Sequence, residues 1–417
     1  MRTSGPSREL LANPPYLVLL AARTISMLGM AFSPVALAFG ILQLPGANAG
    51  TLSVVLAAQT LPMVVFMLVG GVIADRHPRS QVLLAGEWLA ALGWSAIGVM
   101  LLTGYTPIWA LSLAAAAAGI AGSLVYPALN GIIPDLVPPA LRAQGNAWLA
   151  MGASASRLIG LVAGGAVVTW LGGGWAMLCA GALYAVAGLL VARLPRTDGA
   201  LADAAEPPLR QLVDGWAEFR SRQWLWVVVL QWSVMLMALQ AAQGVLGPVV
   251  AEAELGGAGA WTTVLAGEAL GAVIGVVIAM FWKPRRPILV ATLLTFTAGI
   301  PAILLGFSAP LVLVAGAAFL MGIGFDLFGV LWMTTMQDEV PPESLSRVAS
   351  YDALGSLMLG PVGLLLAGPA ALVFGAHAAL IATGALSLAT TAFALCFAEV
   401  RRLRARTLSR ADLVEAA

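Results

Sequence analysis

Five charged side chains lie more than four residues inside the apolar stretches of this chain: Arg23, Glu87, Arg157, Glu268 and Asp326. A charge left alone in hydrocarbon costs at least several kcal/mol. Each of the five must meet an opposite charge, reach water or, for the acids, take up a proton. A carboxyl that gains and loses a proton in such a place can tie proton movement to a change of shape. Other chemistries lack their parts. The two histidines, His77 and His377, lie at loop or helix ends, and neither has a His-Glu-x-x-His or Gly-x-Ser-x-Gly context. An intramembrane hydrolase is disfavoured on that ground. The single lysine, Lys283, follows no Gly-x-x-x-x-Gly-Lys, which argues against an ATP-driven pump. Cys179 and Cys396 both fall in apolar runs, so no disulfide framework is implied. No metal, cofactor or enzyme activity is expected.

The elements that must position these charges are membrane helices. Of 417 residues, 60% are hydrophobic and only 10% charged, against about 25% charged in a soluble domain; the mean hydropathy is +0.93. Apolar runs at 15–42, 50–73, 81–103, 107–129, 144–169, 173–194, 223–250, 260–282, 286–307, 310–335, 348–373 and 376–397 are each near the roughly 20 residues a bilayer requires. They are continuous rather than alternating, which excludes a barrel. The first run is too long for a signal-peptide core and reads as a retained span. With the N-terminus inside, 19 of the 21 basic residues fall in inner loops and tails and none in outer loops. Both termini are therefore expected in the cytoplasm. The fold class is all-α membrane protein with 12 transmembrane helices.

The longest connection divides the chain. Residues 1–14 form an N-terminal tail, 15–194 a first six-helix bundle, 195–222 a linker, 223–397 a second bundle and 398–417 a basic tail suited to anionic lipids. Within the linker, Leu209, Leu212, Val213, Trp216 and Phe219 recur at helical spacing. They describe either a helix lying on the inner membrane surface or a solvated one.

Two patterns tie the halves to a known architecture. Gly71-x-x-Ala74-Asp75-Arg76-x-x-Arg79, between the second and third runs, resembles the helix 2–3 loop signature of the major facilitator superfamily. Pro78 stands where that signature has glycine, and Ser80 replaces a second basic residue. Asp135-Leu136-Val137-Pro138-Pro139 recurs 203 residues later as Asp338-Glu339-Val340-Pro341-Pro342, each copy between the fourth and fifth helices of its half. Parallel six-helix repeats of this kind belong to the same fold. Ile133-Pro134-Asp135-Leu136-Val137-Pro138, Arg347 to Asp352 and Pro361-Val362-Gly363 resemble the superfamily's drug:proton antiporter branch, which holds macrolide-efflux and enterobactin-export proteins.

The resemblance implies where residues meet. Helices 5 and 8 face each other across the two halves in that family. Arg157 and Glu268 each lie about 14 residues, roughly 21 Å, from the inner end of those helices. They are expected to pair near the midplane, either as a proton-coupled switch or as a permanent salt bridge. Arg23 and Asp326, on helices 1 and 10 and roughly 13–15 Å deep, form a second candidate set; alternatively Arg23 snorkels to the inner surface. Glu87, early in helix 3, is expected to reach the inner interface. Gly71, Asp75, Arg76 and Arg79 with Asp352 form a candidate cytoplasmic gate. Gln240, Gln243, Met27 and Met235 are candidate cavity residues. Gly152, Ser156, Gly160 and Gly164 on helix 5, and Gly267, Gly271 and Gly275 on helix 8, are small-residue ridges expected at the seam between halves, mobile or static. Trp109, Trp175, Trp261, Trp216, Trp224 and Trp282 read as interfacial anchors.

The expected function is secondary active efflux of a lipophilic small molecule (a drug, macrolide or siderophore-like compound), driven by protons across the cell membrane, by a monomer without nucleic acid. An importer or a non-transporting sensor on the same fold are the alternatives.

Overall fold

A computed structural model describes residues 10, 12–138, 141–195 and 216–405. Twelve helices in it are long and apolar enough to cross a membrane. In chain order they are α1 (Pro14–Leu42), α2 (Ala49–Arg76), α3 (Arg79–Thr103), α4 (Ile108–Leu136), α5 (Arg142–Leu171) and α6 (Gly173–Val191). The second six are α7 (Gln223–Leu255), α8 (Ala258–Phe281), α9 (Pro287–Gly306), α10 (Leu311–Glu339), α11 (Pro342–Leu357 continued by Gly360–Phe374) and α12 (Ala376–Leu395). No strand occurs among the described residues. The fold is the expected all-α bundle of 12 spans.

Local chemistry fixes the ends. The Asn13 side chain accepts from the Tyr16 amide at the start of α1, and Asn48 accepts from Gly50 and Thr51 at the start of α2. Both satisfy amides that the first helical turn leaves without carbonyl partners. Pro107 and Pro310 precede α4 and α10, and Val137 and Val340 close them. Gly172 (φ 91°) joins α5 to α6 and Gly375 (φ 83°) joins α11 to α12, left-handed conformations that glycine adopts without penalty. Each of these pairs is 203 residues apart, the offset of the Val-Pro-Pro repeat. The internal repeat is thus written into the helix ends as well as the sequence. Both α4 and α10 run past their expected ends at 129 and 335, because the chain stays helical until the Val-Pro step prevents it.

Two compact units result, and they do not coincide with the sequence halves. The first contains α1–α6 together with Gln240–Ala266 and Pro361–Ala379. Within it, the Ser53 hydroxyl of α2 donates to the Leu364 carbonyl of α11 and accepts from the Gly368 amide (3.2 Å). A side chain at Gly368 would strike Ser53 and the Gly50 backbone, so glycine is what lets these helices touch. Gly165 of α5 abuts Thr262 of α8 in the same way. The second unit contains Glu206–Leu239, Gly267–Gly360 and Leu380–Ala417. Its core gathers Trp224, Val227, Val228, Leu327, Phe328, Leu331, Trp332 and Met336. Helix α7 changes unit at Gln240, where its backbone loosens into a π-turn over Ala241–Leu246.

Several expectations need correction. The α5 ridge does not look toward α8: a Cβ on Gly160 would lie 2.7 Å from the Ala31 Cβ and 2.9 Å from the Leu28 carbonyl, and one on Gly164 3.0 Å from the Phe32 Cα. Ser156 donates to the Thr24 carbonyl (2.8 Å). The ridge of Gly152, Ser156, Gly160 and Gly164 is the seat of α1. Likewise Gly267, Gly271 and Gly275 pack on Ala315, Phe319 and Ile323 of α10. Small residues allow close approach, but spacing alone does not say to which neighbour. Trp224 and Trp261 are buried rather than interfacial, Trp224 edge-on to Trp332 and Trp261 against Gly247. Of the linker, residues 216–221 are helical, with Phe219 buried and Trp216 half exposed, both in ring contact with Tyr351 of α11. The rest of the amphipathic segment, 209–215, lies outside the described residues. The short helix Ala398–Arg402 opens the basic tail, and its Glu399 carboxylate accepts from the Trp224 amide (3.0 Å). Beyond 405 the tail is outside the described residues.

Candidate functional site

Among the described residues of the first unit the most enclosed carboxyl is Glu87, 3% exposed, on α3. It does not reach a surface. Ser26 of α1, 1% exposed, and the Arg23 guanidinium, one turn earlier on α1, both lie within interaction range of it. From the far side Tyr184 of α6 feels both charges, and its hydroxyl accepts from the Trp94 indole of α3. The second carboxyl oxygen, Oε2, is buried with no hydrogen-bond partner.

Glycines create this arrangement. A Cβ on Gly29 would sit 3.2 Å from the Ala180 carbonyl and the Tyr184 ring, drawing α1 onto α6. At Gly86 the added atom would be 2.6 Å from the Val125 side chain of α4. Gly181 lies against the Ser95 and Ala91 backbone, and Gly188 against Trp88 and the Glu87 Cβ. Around Glu87 the helices therefore close to backbone distance, and water is squeezed out. In that dry setting a carboxyl with one oxygen unmatched has an incomplete hydrogen-bond shell.

The second unit holds a counterpart. By the 203-residue repeat, α7, α9 and α12 correspond to α1, α3 and α6. There the Gln231 amide of α7 donates to Thr295 of α9 (2.7 Å) and Thr391 of α12 (3.3 Å), and the two hydroxyls bond each other at 2.8 Å. All three residues are buried. Counted from the helix starts, Thr295 stands eight residues into α9 as Glu87 stands eight into α3, although the 203-residue offset itself carries Glu87 to Val290. One helix triad is thus filled by an acid and a base, the other by neutral groups.

The remaining expected residues fall as follows. Arg157 is exposed on α5, Glu268 is half-buried on α8, and Asp326 is half-buried on α10. The Glu268 backbone carbonyl lies directly against Gly322 of α10. Arg23, assigned above to Asp326 or to the inner surface, has Glu87 as its opposite charge within the first unit. Met235 is fully buried with Leu239, Ala298 and Met321 and so belongs to packing in the second unit, not to an open wall. Met27 is half-buried on α1. Gln240 ends the regular part of α7 and Gln243 lies in its π-turn, a distortion that often marks functional positions. In the 2–3 loop Arg76 is exposed and Arg79 half-buried; the side chains of Gly71 and Asp75 lie outside the described residues. Asp352 of α11 accepts from the Trp332 indole (3.2 Å) and from Ser356 (3.3 Å), holding α11 to α10 inside the second unit.

The sequence reading missed the Glu87 cluster. Glu87 lies near the start of α3, and depth alone pointed to the interface. The available signal was the company of Gly86 and, on facing helices, Gly29, Gly181 and Gly188.

Comparison with known proteins places this geometry. The profile of the Major Facilitator Superfamily matches residues 18–355. Macrolide efflux protein A of Streptococcus pyogenes is 23% identical over 93% of this chain and 97% of its own length. A protein of the same name from Enterococcus faecalis is 24% identical over 73% of this chain and 96% of its own. Among solved structures, a mutant of the nucleoside transporter NupG superposes with a TM-score of 0.77 at 13% identity, covering 92% of this chain and 99% of that one.

Proposed function

The chain belongs to the Major Facilitator Superfamily of transporters, and on that premise we propose that it exports lipophilic small molecules of macrolide type in exchange for protons across the cell membrane. The observation that carries the reading is the match to macrolide efflux protein A along 93% of the chain. The second support is chemical: acids buried among apolar helices are costly and persist where they work.

In this reading both termini and the arginine-rich loops face the cytoplasm, consistent with the one-sided distribution of basic residues. The basic tail contacts anionic lipids. Arg76, Arg79 and Asp75 of the first unit, and Asp352 of the second, are gate residues at the cytoplasmic end. Gln240, Gln243 and Met27 meet the cargo, with the π-turn of α7 giving the two amides room to reorient. Glu268 with Arg157 and Asp326 are the acids and base nearest the membrane centre by depth. The transporter acts as a monomer and needs no cofactor beyond the proton gradient.

The test is macrolide accumulation in inside-out vesicles with an acidic lumen. Accumulation that collapses on adding a protonophore is expected. Accumulation only with the reverse gradient would make the protein an importer or symporter, and none under either gradient would remove macrolides as cargo.

A further inference from the structure

We propose that the α8–α9 loop and the start of the C-terminal tail form one binding site for an anionic phospholipid, whose phosphate bridges the two segments. The inference rests on the reading above that the basic tail meets anionic lipid. It goes further in giving the loop half of the site, and in making the contact a built site instead of a diffuse attraction.

Within the second unit the two segments are held side by side. Their backbones are joined directly, because the Ala405 amide donates to the Arg285 carbonyl (3.0 Å). Both are anchored in one apolar core: Ile288, at the start of α9, and Val400, in the short tail helix, are buried in it, and Leu403 packs against it. The Glu399 carboxylate is fixed by the Trp224 amide (3.0 Å). With Val400 and Leu403 facing the core, the residues between and beside them must face away from it. Arg401, Arg402 and Arg404 are exposed, as are Lys283, Arg285 and Arg286 of the loop. Arg401 donates to the Cys396 carbonyl (3.4 Å). Among the described residues none of these six cations is in an ion pair.

Charge and apolarity together choose the occupant. Cations gathered on two joined segments repel one another, and the planar fork of arginine matches the oxygens of a phosphate. The equivalent loop of the first half carries its own acid, Asp75, beside Arg76 and Arg79, whereas the α8–α9 loop, Lys283-Pro284-Arg285-Arg286, has none. Glu399, the acid nearest the tail arginines in sequence, is already engaged. The countercharge therefore comes from outside these segments. A soluble phosphate would need the cations alone. The residues just before Lys283 are Met280, Phe281 and Trp282 at the end of α8, 68%, 83% and 44% exposed, and they give acyl chains an apolar wall beneath the headgroup. Anionic lipid in the adjoining leaflet supplies both parts, the phosphate and the chains. Once bound, it closes the tail against the loop.

Native mass spectrometry of the full-length protein, released from nanodiscs of phosphatidylcholine with a minor share of phosphatidylglycerol, tests this by counting retained lipid. Wild type should keep phosphatidylglycerol in preference to phosphatidylcholine. Arg285→Gln and Arg404→Gln should each weaken that retention by about fivefold. The double substitution should do little more than either alone, because each already breaks the same bridge. Arg193→Gln, which removes an exposed cation at the end of α6, should leave retention unchanged. Trypsin gives an independent reading: phosphatidylglycerol should slow cleavage after Arg402 and Arg404, and Arg285→Gln should abolish that protection although the tail itself is intact. Losses that multiply to about 25-fold in the double variant, or an equal loss in Arg193→Gln, would overturn the bridged site while leaving a general attraction of the tail for lipid. Displacement of the lipid by millimolar inorganic phosphate would make this a site for a soluble anion and overturn the lipid assignment. If wild type shows no preference for phosphatidylglycerol, the lipid-facing reading of the tail fails together with the site.

Discussion

Replacing Gly160 by alanine should separate α1 from α5. The added Cβ would stand 2.7 Å from the Ala31 Cβ and 2.9 Å from the Leu28 carbonyl, where carbon atoms prefer about 3.5–4.0 Å. A backbone carbonyl in a helix cannot step aside, so the helices must part by about 1 Å, which forfeits a quarter to a half of each dispersion contact nearby. Along the ridge from Gly152 to Gly164, on the order of 20–40 atom pairs at about 0.1–0.2 kcal/mol each are affected, or about 1–3 kcal/mol. The Ser156 hydroxyl, 2.8 Å from the Thr24 carbonyl one turn away, lengthens too and adds about 1 kcal/mol. Thermal unfolding of the purified protein in detergent should show a Tm lower by about 2–5 °C. Gly316→Ala and Gly329→Ala supply the comparison, since an added Cβ at either meets nothing within 4 Å; both should leave Tm within about 1 °C of wild type. If Gly160→Ala behaves like those two, the ridge is not the seat of α1.

Other perturbations separate strong contacts from weak ones. Tyr16→Phe deletes a buried hydroxyl that donates to the Gly145 carbonyl at 2.8 Å and should cost about 1–3 kcal/mol by chemical denaturation, because that carbonyl is left unmatched. Gln231→Leu should cost no more than about 1 kcal/mol, since Thr295 and Thr391 keep each other's hydroxyl and Thr295 still donates to the Thr292 carbonyl. Asp352→Ala strips the acceptor from the Trp332 indole; a shift in tryptophan emission and a loss of about 1–2 kcal/mol are expected. His377→Ala breaks the 2.6 Å contact with Glu254, but both side chains are about two-fifths exposed (38% and 41%), so the change in stability should stay below about 1 kcal/mol and shrink further in high salt.

Much of the fold was legible because lipid imposes simple rules. A span must be apolar and about 20 residues long, and the helix ends are marked by residues with one conformational habit: Asn48, and Pro107, Val137-Pro138 and Gly172 with the partners these three have 203 residues later. Neighbour choice was not legible. The spacing of Gly152, Ser156, Gly160 and Gly164 defines a smooth face, but nothing in it distinguishes α1 from α8 as the helix that lies there. Trp224 and Trp261 sit near helix ends where aromatic anchors collect, yet Trp332 and Gly247 offer each ring a partner that sequence distance conceals. Glu87 shows the same limit most clearly. Its position early in α3 points outward to water, and its burial is decided by glycines on α1 and α6, far away in the chain. Met235 was misplaced because methionine fills cores and lines cavities equally well.

Proton exchange for cargo is tested most directly by following both at once. Proteoliposomes loaded with erythromycin and a trapped pH-sensitive dye, diluted into cargo-free buffer without an imposed gradient, should acquire protons as the drug leaves, and the dye should report acidification of the lumen. A lumen that stays neutral while drug leaves at an undiminished rate, or one that turns alkaline, would contradict exchange.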